Sequence, residues 1–430
     1  MHDFFKKIII FILTWEARLV LARYRPEIIA VTGSVGKTTT KDAIYAVLSG
    51  SLYVRKSEKS FNSELGVPLA ILGCENAWRS PVGWARNIFS GVGLLFGRDY
   101  PKWLVLEVGA DRPGDIRRIA RWLRPQIAVV TGVPEIPVHV EYFDSPEALA
   151  REKRVLAEYI RPGGKLVLNG DDSRMVALCA DYRGMTVKYG FGAGNDLTGE
   201  GEEIAYTNYG PAGIRFRVNG RGSSIPVSVS GALGQPRAYA ALAALAVAEI
   251  AGVDFVSGTQ ALAEWVPPPG RMRIIKGIRG STIIDDTYNS SPVAALAALD
   301  ALKEVRAERK IAVLGDMLEL GKYSAEAHRN VGARAAACAD RFITVGFRAR
   351  AAGEAALDAG MPEANIREYE HGESQRAGEE LRSELKEGDI VLVKGSQSMR
   401  MERTVLALMA EPDRAPELLV RQDAEWLRKN

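Results

Sequence analysis

The segment Thr32-Gly33-Ser34-Val35-Gly36-Lys37-Thr38-Thr39-Thr40 constrains what this chain can fold into more than any other. It follows a short apolar run, Ile28 to Thr32, and opens a helical stretch from about Lys37 to Leu48. A strand that enters a glycine turn and then a helix leaves backbone N–H groups aimed at one point, and the helix dipole makes that point attractive to phosphate oxygens. Gly33, Ser34, Val35, Gly36, Lys37, Thr38 and Thr39 are therefore read as nucleotide-binding. Lys37 would reach the β- and γ-phosphates of a nucleotide, and the Thr38 hydroxyl would ligate Mg²⁺. Val31 stands where the longer form of this loop has its first glycine, so this is a compact variant. The geometry requires a buried strand beneath the loop, which points to an α/β fold.

The rest of the chain keeps that pattern. Trp103 to Val108, Ile127 to Thr131 and Lys165 to Leu168 read as buried parallel strands. Their alternation with helical segments implies a doubly wound, mostly parallel sheet. Residues 186 to 230 alternate apolar and polar positions (IRFRV, SIPVSVS), as antiparallel strands added to that sheet would. Alanine-rich helices are expected at about 235–251 and 257–265. Pro267-Pro268-Pro269-Gly270 is the clearest linker. Beyond it, strands are expected at 281–285, 310–314, 341–345 and 389–393. The expected division is an N-terminal helix (1–26), an ATP-binding α/β domain (27–266) and a smaller Rossmann-like α/β domain (267–430). At 430 residues, more than one core is required.

The formal charge of +3 is small for this length and gives no reason to expect a nucleic-acid partner. Cys74, Cys179 and Cys338 are far apart, which suits reduced thiols in a cytoplasmic protein. Residues 4–24 are strongly apolar, yet the uninterrupted run Ile8 to Leu13 is far shorter than the ~18 residues of a spanning helix. No small-residue cleavage site follows it. Lys7, Thr14, Arg18 and Arg25 fall on one stripe at helical spacing. Such a helix either packs on the body of the protein or lies on a membrane surface or a partner.

Read in order, further motifs accumulate: KSFNSELGVPLAIL (59–72), VLEVGADRPGDI (105–116), HVEYFDSPEALAREK (139–153), LNGDD (168–172), PGR (269–271), DDTYNSSP (285–292), GDMLELG (315–321) and VKGS (393–396). Together with the phosphate loop they resemble the Mur ligase family over about residues 27 to 410, with the last three nearest its D-alanyl-D-alanine-adding branch. The resemblance implies an ATP-dependent amide ligase of peptidoglycan precursor synthesis. Its substrates would be a UDP-MurNAc-peptide-like acceptor and a D-Ala-D-Ala-like dipeptide. The chemistry follows from the carboxylate, a poor electrophile until the ATP γ-phosphoryl turns it into an acyl phosphate that an amine can attack.

By the same resemblance, Glu107 is a Mg²⁺ ligand and His139 holds a second Mg²⁺ as neutral imidazole. Lys153 matches a lysine that takes up CO₂ as a carbamate and thereby becomes an oxygen ligand. With Lys37, these form the expected catalytic set. Arg271, Asp286 and Asn289 would contact the nucleotide, with Tyr288 nearby. Asp316, Glu319, Lys394 and Ser396 would line the acceptor site, and Asn62 and Ser63 would touch substrate. His328 is expected to be structural; His2 and His371 carry no discernible chemistry.

Two departures qualify the match. Only about 31 residues precede the phosphate loop, where family members carry a whole domain for the uridine nucleotide. Gly234-Gln235-Pro236-Arg237 stands where a Gly-x-His-Asn stretch often meets adenine. These departures leave open a different acceptor or carrier, and a non-catalytic ATP-binding protein is the remaining alternative. A P-loop kinase or GTPase is disfavoured because no guanine-reading NKxD motif is present and the second α/β domain fits ligases better.

Overall fold

In the computed structural model the described residues exclude Met1, Lys59, Arg79, Val138, Arg221, Lys429 and Asn430, and the side chains of His2 and Asp3. The outermost ends of the expected domain division, the first residue of the motif at 59–72 and the His2 side chain thus lie outside the described residues.

Two sheets organise the chain. The first contains β1 (Glu27–Thr32), β2 (Val54–Lys56), β3 (Trp103–Glu107), β4 (Ile127–Val130), β5 (Lys165–Asn169), β6 (Met185–Gly190), β7 (Leu197–Thr207), β8 (Gly210–Gly220) and β9 (Ser223–Ser230). Their order is β2-β3-β1-β4-β5-β6-β7-β8-β9, parallel as far as β7, with β8 and β9 added antiparallel. The second contains β10 (Arg273–Lys276), β11 (Thr282–Asp286), β12 (Arg309–Gly315), β13 (Arg341–Val345), β14 (Ile366–Tyr369) and β15 (Asp389–Lys394), ordered β10-β11-β15-β12-β13-β14. Only β10 runs antiparallel to its neighbour.

The Val/Ile-rich strands are buried on both faces, and the period of two distributes their side chains. Ile29, Val31, Val105, Val129 and Val167 join one apolar cluster. The alternate residues Ile28, Ala30, Leu104, Leu106, Ala128 and Val130 join another. Helix α2 (Lys37–Ser49) and the alanine-rich helix Gln235–Ala251 cover the first face through Ile44, Val47, Leu242 and Leu245. Helices α1 (His2–Tyr24), α3 (Gly66–Leu72) and α4 (Pro81–Leu94) contribute to the second face, α1 through Leu13, Ala17 and Val20. No described helix is long and apolar enough to cross a membrane.

The strands absent from the sequence reading are β2, β10 and β14, each three or four residues long. All three lie at sheet edges, where one-sided pairing tolerates polar residues and the apolar pattern is too short to detect. Helix α4 was also unanticipated. Three glycines, Gly83, Gly91 and Gly93, weaken its helix propensity. Ser80 nevertheless caps it by accepting the Gly83 N–H, and Pro81 opens its first turn.

Gly91 is where α4 meets α1: a Cβ there would lie 2.2 Å from Glu16 Oε2. Glu16 is buried, Oε2 finds no hydrogen-bond partner among the described residues, and burial pushes its carboxyl up to about 7. An acid whose folded pKa is raised loses stability as pH rises between its unfolded and folded values, here from about 4.5 to about 7. Glu16→Gln should therefore leave the melting temperature unchanged near pH 4.5 and raise it by roughly 2–5 °C near pH 8. Equal melting differences at the two pH values would contradict the buried, neutral carboxyl.

Candidate functional site

The carboxyl ends of β3, β1 and β4, adjacent in the first sheet, face the carboxyl ends of β11 and β15, adjacent in the second. Between them lies a cavity of about 630 Å³. Open α/β sheets collect ligands at this edge, where loops and helix N-termini converge.

The phosphate loop forms one wall. Gly33 has φ +142°, and a Cβ would lie 2.0 Å from Thr131 Oγ1, so only glycine admits the neighbouring loop. That loop fastens the turn: Ser34 and Val35 donate their backbone N–H groups to Gly132 O, and Thr131 donates its hydroxyl to Val35 O. This corrects the reading of the loop amides. The Ser34 and Val35 amides serve the fold, and Ser34 lines the cavity with a buried hydroxyl that has no hydrogen-bond partner among the described residues. The amides available to an anion belong to the first turn of α2, Lys37 to Thr39, which follows Gly36 in the left-handed conformation. Gly33 itself does not line the cavity; Val35, Gly36, Lys37, Thr38 and Thr39 do.

Thr38 is the hub. Its hydroxyl donates to Glu107 Oε2 at 2.9 Å and lies 3.3 Å from Ser60 Oγ. Asn62 Nδ2 donates to Glu107 Oε1 at 2.9 Å. From the other lobe, Arg271 Nη2 donates to Thr38 Oγ1 at 3.3 Å, its guanidinium stacks 3.9 Å from the centre of the Tyr288 ring, and Tyr288 OH donates to Ser60 Oγ at 2.5 Å. Arg271 Nε is buried without a partner among the described residues. Asp286 and Lys394, cross-strand neighbours on β11 and β15, pair at 2.6 Å, and Lys394 also donates to Asn289 O at 2.8 Å. Asp286 and Asn289 line the cavity. His139 Nδ1 lies 2.7 Å from Glu319 Oε2 across the cleft, without hydrogen-bond geometry among the described residues. Both residues hold positive φ, 69° and 63°, a costly conformation for side-chain-bearing residues.

Lys153 is buried and does not line the cavity, but the Lys37 charge reaches it. Burial first and Lys37 second hold its amine down to about 7. Burial likewise pushes the Lys37 ammonium below its usual range, opposed by the Glu107 carboxylate. Among the described residues no three His, Cys, Asp or Glu side chains form a group that could hold a metal. The hard-oxygen donors are the Thr38 hydroxyl and the buried Glu107 carboxylate, whose hydrogen-bond partners are both neutral. That set fits Mg²⁺ completed by phosphate oxygens and water.

Three expected substrate contacts are placed elsewhere. Asp316 Oδ1 accepts the Ala349 N–H at 2.8 Å, and Ser396 Oγ accepts the Leu318 N–H at 2.9 Å. Both tie loops at strand ends and neither lines the cavity. Ser63 Oγ accepts the Gly66 N–H at the start of α3 and faces a small neighbouring cavity. The direction of a strand-end side chain depends on which helix lies beside it, which no local pattern records. His328 is structural: its Nε2 accepts the Met317 N–H at 3.0 Å.

Residues that lie within the quoted stretches but were assigned no individual role also line the site. Arg237 is buried, places Nη1 3.4 Å from Thr39 Oγ1, stacks over Trp265, and burial pulls its guanidinium down to about 9. Gly234, Pro236 and Arg237 of the stretch expected near adenine all line the cavity. Ser60 of the 59–72 motif and Asp111 of the 105–116 motif also line it.

Comparison with known proteins places these features. A Mur ligase middle domain matches residues 31–248, and a Mur ligase glutamate ligase domain matches residues 270–397. The chain is 29% identical over 405 residues to the UDP-N-acetylmuramoyl-tripeptide–D-alanyl-D-alanine ligase of Bacillus subtilis, covering 92% of this chain and 79% of that protein. To the Synechocystis enzyme of the same name it is 30% identical over 393 residues, covering 90% and 76%. The crystal structure of MurF from Thermotoga maritima in complex with ADP superposes with a TM-score of 0.77 at 26% identity, covering 94% of this chain and 84% of that one. MurF from Acinetobacter baumannii shares the fold at a TM-score of 0.75 and 23% identity, covering 92% and 79%.

Proposed function

Because the chain belongs to the Mur ligase family, we propose that it joins D-alanyl-D-alanine to the peptide carboxylate of a UDP-MurNAc-tripeptide, consuming ATP and forming ADP. One observation carries the reading: Arg271, from beyond the Pro267–Gly270 linker, meets Thr38 of the phosphate loop in one cavity, with Glu107 on the same hydroxyl.

The chemistry follows from those positions. The amides of the first turn of α2, with Lys37 and Arg237, hold the triphosphate by charge and donor direction. The acceptor carboxylate attacks the γ-phosphorus, ADP leaves, and Lys37 and Arg271 balance the charge carried by the transferring oxygens. The amine of the dipeptide then attacks the acyl carbon, phosphate departs, and the amine proton is lost as the amide forms. Arg271 and Tyr288 act only when the lobes meet, and that meeting keeps water from the acyl phosphate. Thr38 and Glu107 would hold Mg²⁺, which neutralises phosphate charge when bound. Lys153, with its amine near neutrality, is suited to capture CO₂ as a carbamate. His139 and Glu319, with Asp111, border the second cation position that family resemblance suggests.

The test is an incubation of the protein with ATP, Mg²⁺, UDP-MurNAc-tripeptide and D-Ala-D-Ala, with and without bicarbonate, products being followed by mass. The expected result is a new amide in step with ADP, faster with bicarbonate. ADP release with another carboxylate or amine, but none with this pair, would replace the substrate assignment and retain the ligase chemistry. Absence of turnover with every acceptor would remove both.

A further inference from the structure

The side of the molecule built by α1 and α4 plays no part in the cleft chemistry. Along α1, Phe4, Ile8, Phe11 and Trp15 recur at helical spacing and all are exposed, Phe11 to 72%. Along α4 and the turn after it, Val82, Phe89, Val92 and Phe96 do the same, Phe89 being 76% and Phe96 81% exposed. The two helices touch, Gly91 against Glu16, and Tyr24 OH donates to the Leu94 and Gly97 carbonyls. Single exposed apolar residues are ordinary, but two touching helices that each expose aromatic rings outward mark a contact surface.

Charge identifies the occupant. Segments 4–25 and 81–98 contain seven Lys or Arg residues, all exposed, and their one carboxylate, Glu16, is buried. The whole chain carries +3, so the remainder of the molecule is net negative. A second copy would bring like-charged faces together, which is unfavourable. Aromatic rings bordered by an excess of Lys and Arg, with the exposed Asp99 only at the far end of the α4 segment, match the headgroup and acyl boundary of an anionic bilayer.

We propose that α1 and α4 dock the protein on an anionic phospholipid surface, lying on it without crossing. Lys6 and Ile10 of α1 line a small cavity of about 140 Å³ with Asn62 and Asp111, which also line the main cavity.

The full chain would be sedimented with vesicles of mixed phosphatidylglycerol and phosphatidylcholine, and with phosphatidylcholine alone, over a range of salt. Binding to the anionic vesicles that weakens with salt is expected. Phe89→Ser and Phe96→Ser should each weaken it at least about tenfold, and Arg86→Gln and Arg98→Gln about fivefold each. Melting temperatures and ATP turnover with soluble substrates should stay as in the wild type. The proposal is overturned by absence of vesicle binding, by ring variants that bind as well as the wild type, or by a solution oligomer that the ring variants dissociate and that ignores vesicles. Ligase turnover is read separately, so failure here leaves the ligase assignment standing.

Discussion

Lys37→Ala is expected to lower kcat by at least about a thousandfold while leaving the melting temperature equal to or slightly above that of the wild type. The ammonium sits in the cavity wall, where burial opposes its charge and Glu107 only partly restores it. In the absence of nucleotide it is thus a strained charge, and removing it relieves desolvation. With nucleotide bound, it would face the most charge-dense part of the substrate, at the end of a helix whose first-turn amides aim the same way. Low activity therefore accompanies undiminished stability, which separates a phosphate role from a packing role. ADP release and thermal unfolding, measured on one preparation, check it. Turnover within tenfold of the wild type would remove Lys37 from the phosphate site.

Arg271 should behave differently. Arg271→Ala is expected to cost about 10²–10³ in kcat with little change in melting temperature. Arg271→Lys should recover little of that loss. The guanidinium lies flat on Tyr288, donates to Thr38 across the lobes, and keeps Nε free of partners among the described residues. Lysine preserves the charge but offers neither a planar face to the ring nor a second N–H at fixed angle. A Lys variant restored to wild-type rate would mean that charge alone suffices, and the stacked geometry would lose its claimed purpose. Because Arg271 reaches Thr38 only with the lobes together, the loss should fall on kcat more than on the apparent affinity for ATP.

The sequence determined what is local or periodic. A glycine turn between an apolar strand and a helix writes its own geometry, so the position of Lys37, Thr38 and Thr39 at the start of α2 could be read directly. The long buried strands could be read because burial on both faces demands unbroken Val, Ile and Leu. Helix α1 was readable as a helix, but not which part of it packs. The tertiary structure divides it, Leu13, Ala17 and Val20 inward and Phe4, Phe11 and Trp15 outward. The edge strands β2, β10 and β14 and the glycine-bearing α4 fall below any local signal.

Only the assembled chain decided which strand ends face the cleft. Arg271 and Thr38 are 233 positions apart, and Lys394 and Asp286 are 108 apart, so no window of sequence contains either contact. Ser34 gives its amide to Gly132, Asp316 caps Ala349 and Ser396 anchors Leu318 because neighbouring loops compete for the same donors and acceptors. Side-chain chemistry is carried by the residue. The direction in which it points is set by whichever element packs beside it, and that is a property of the packed structure.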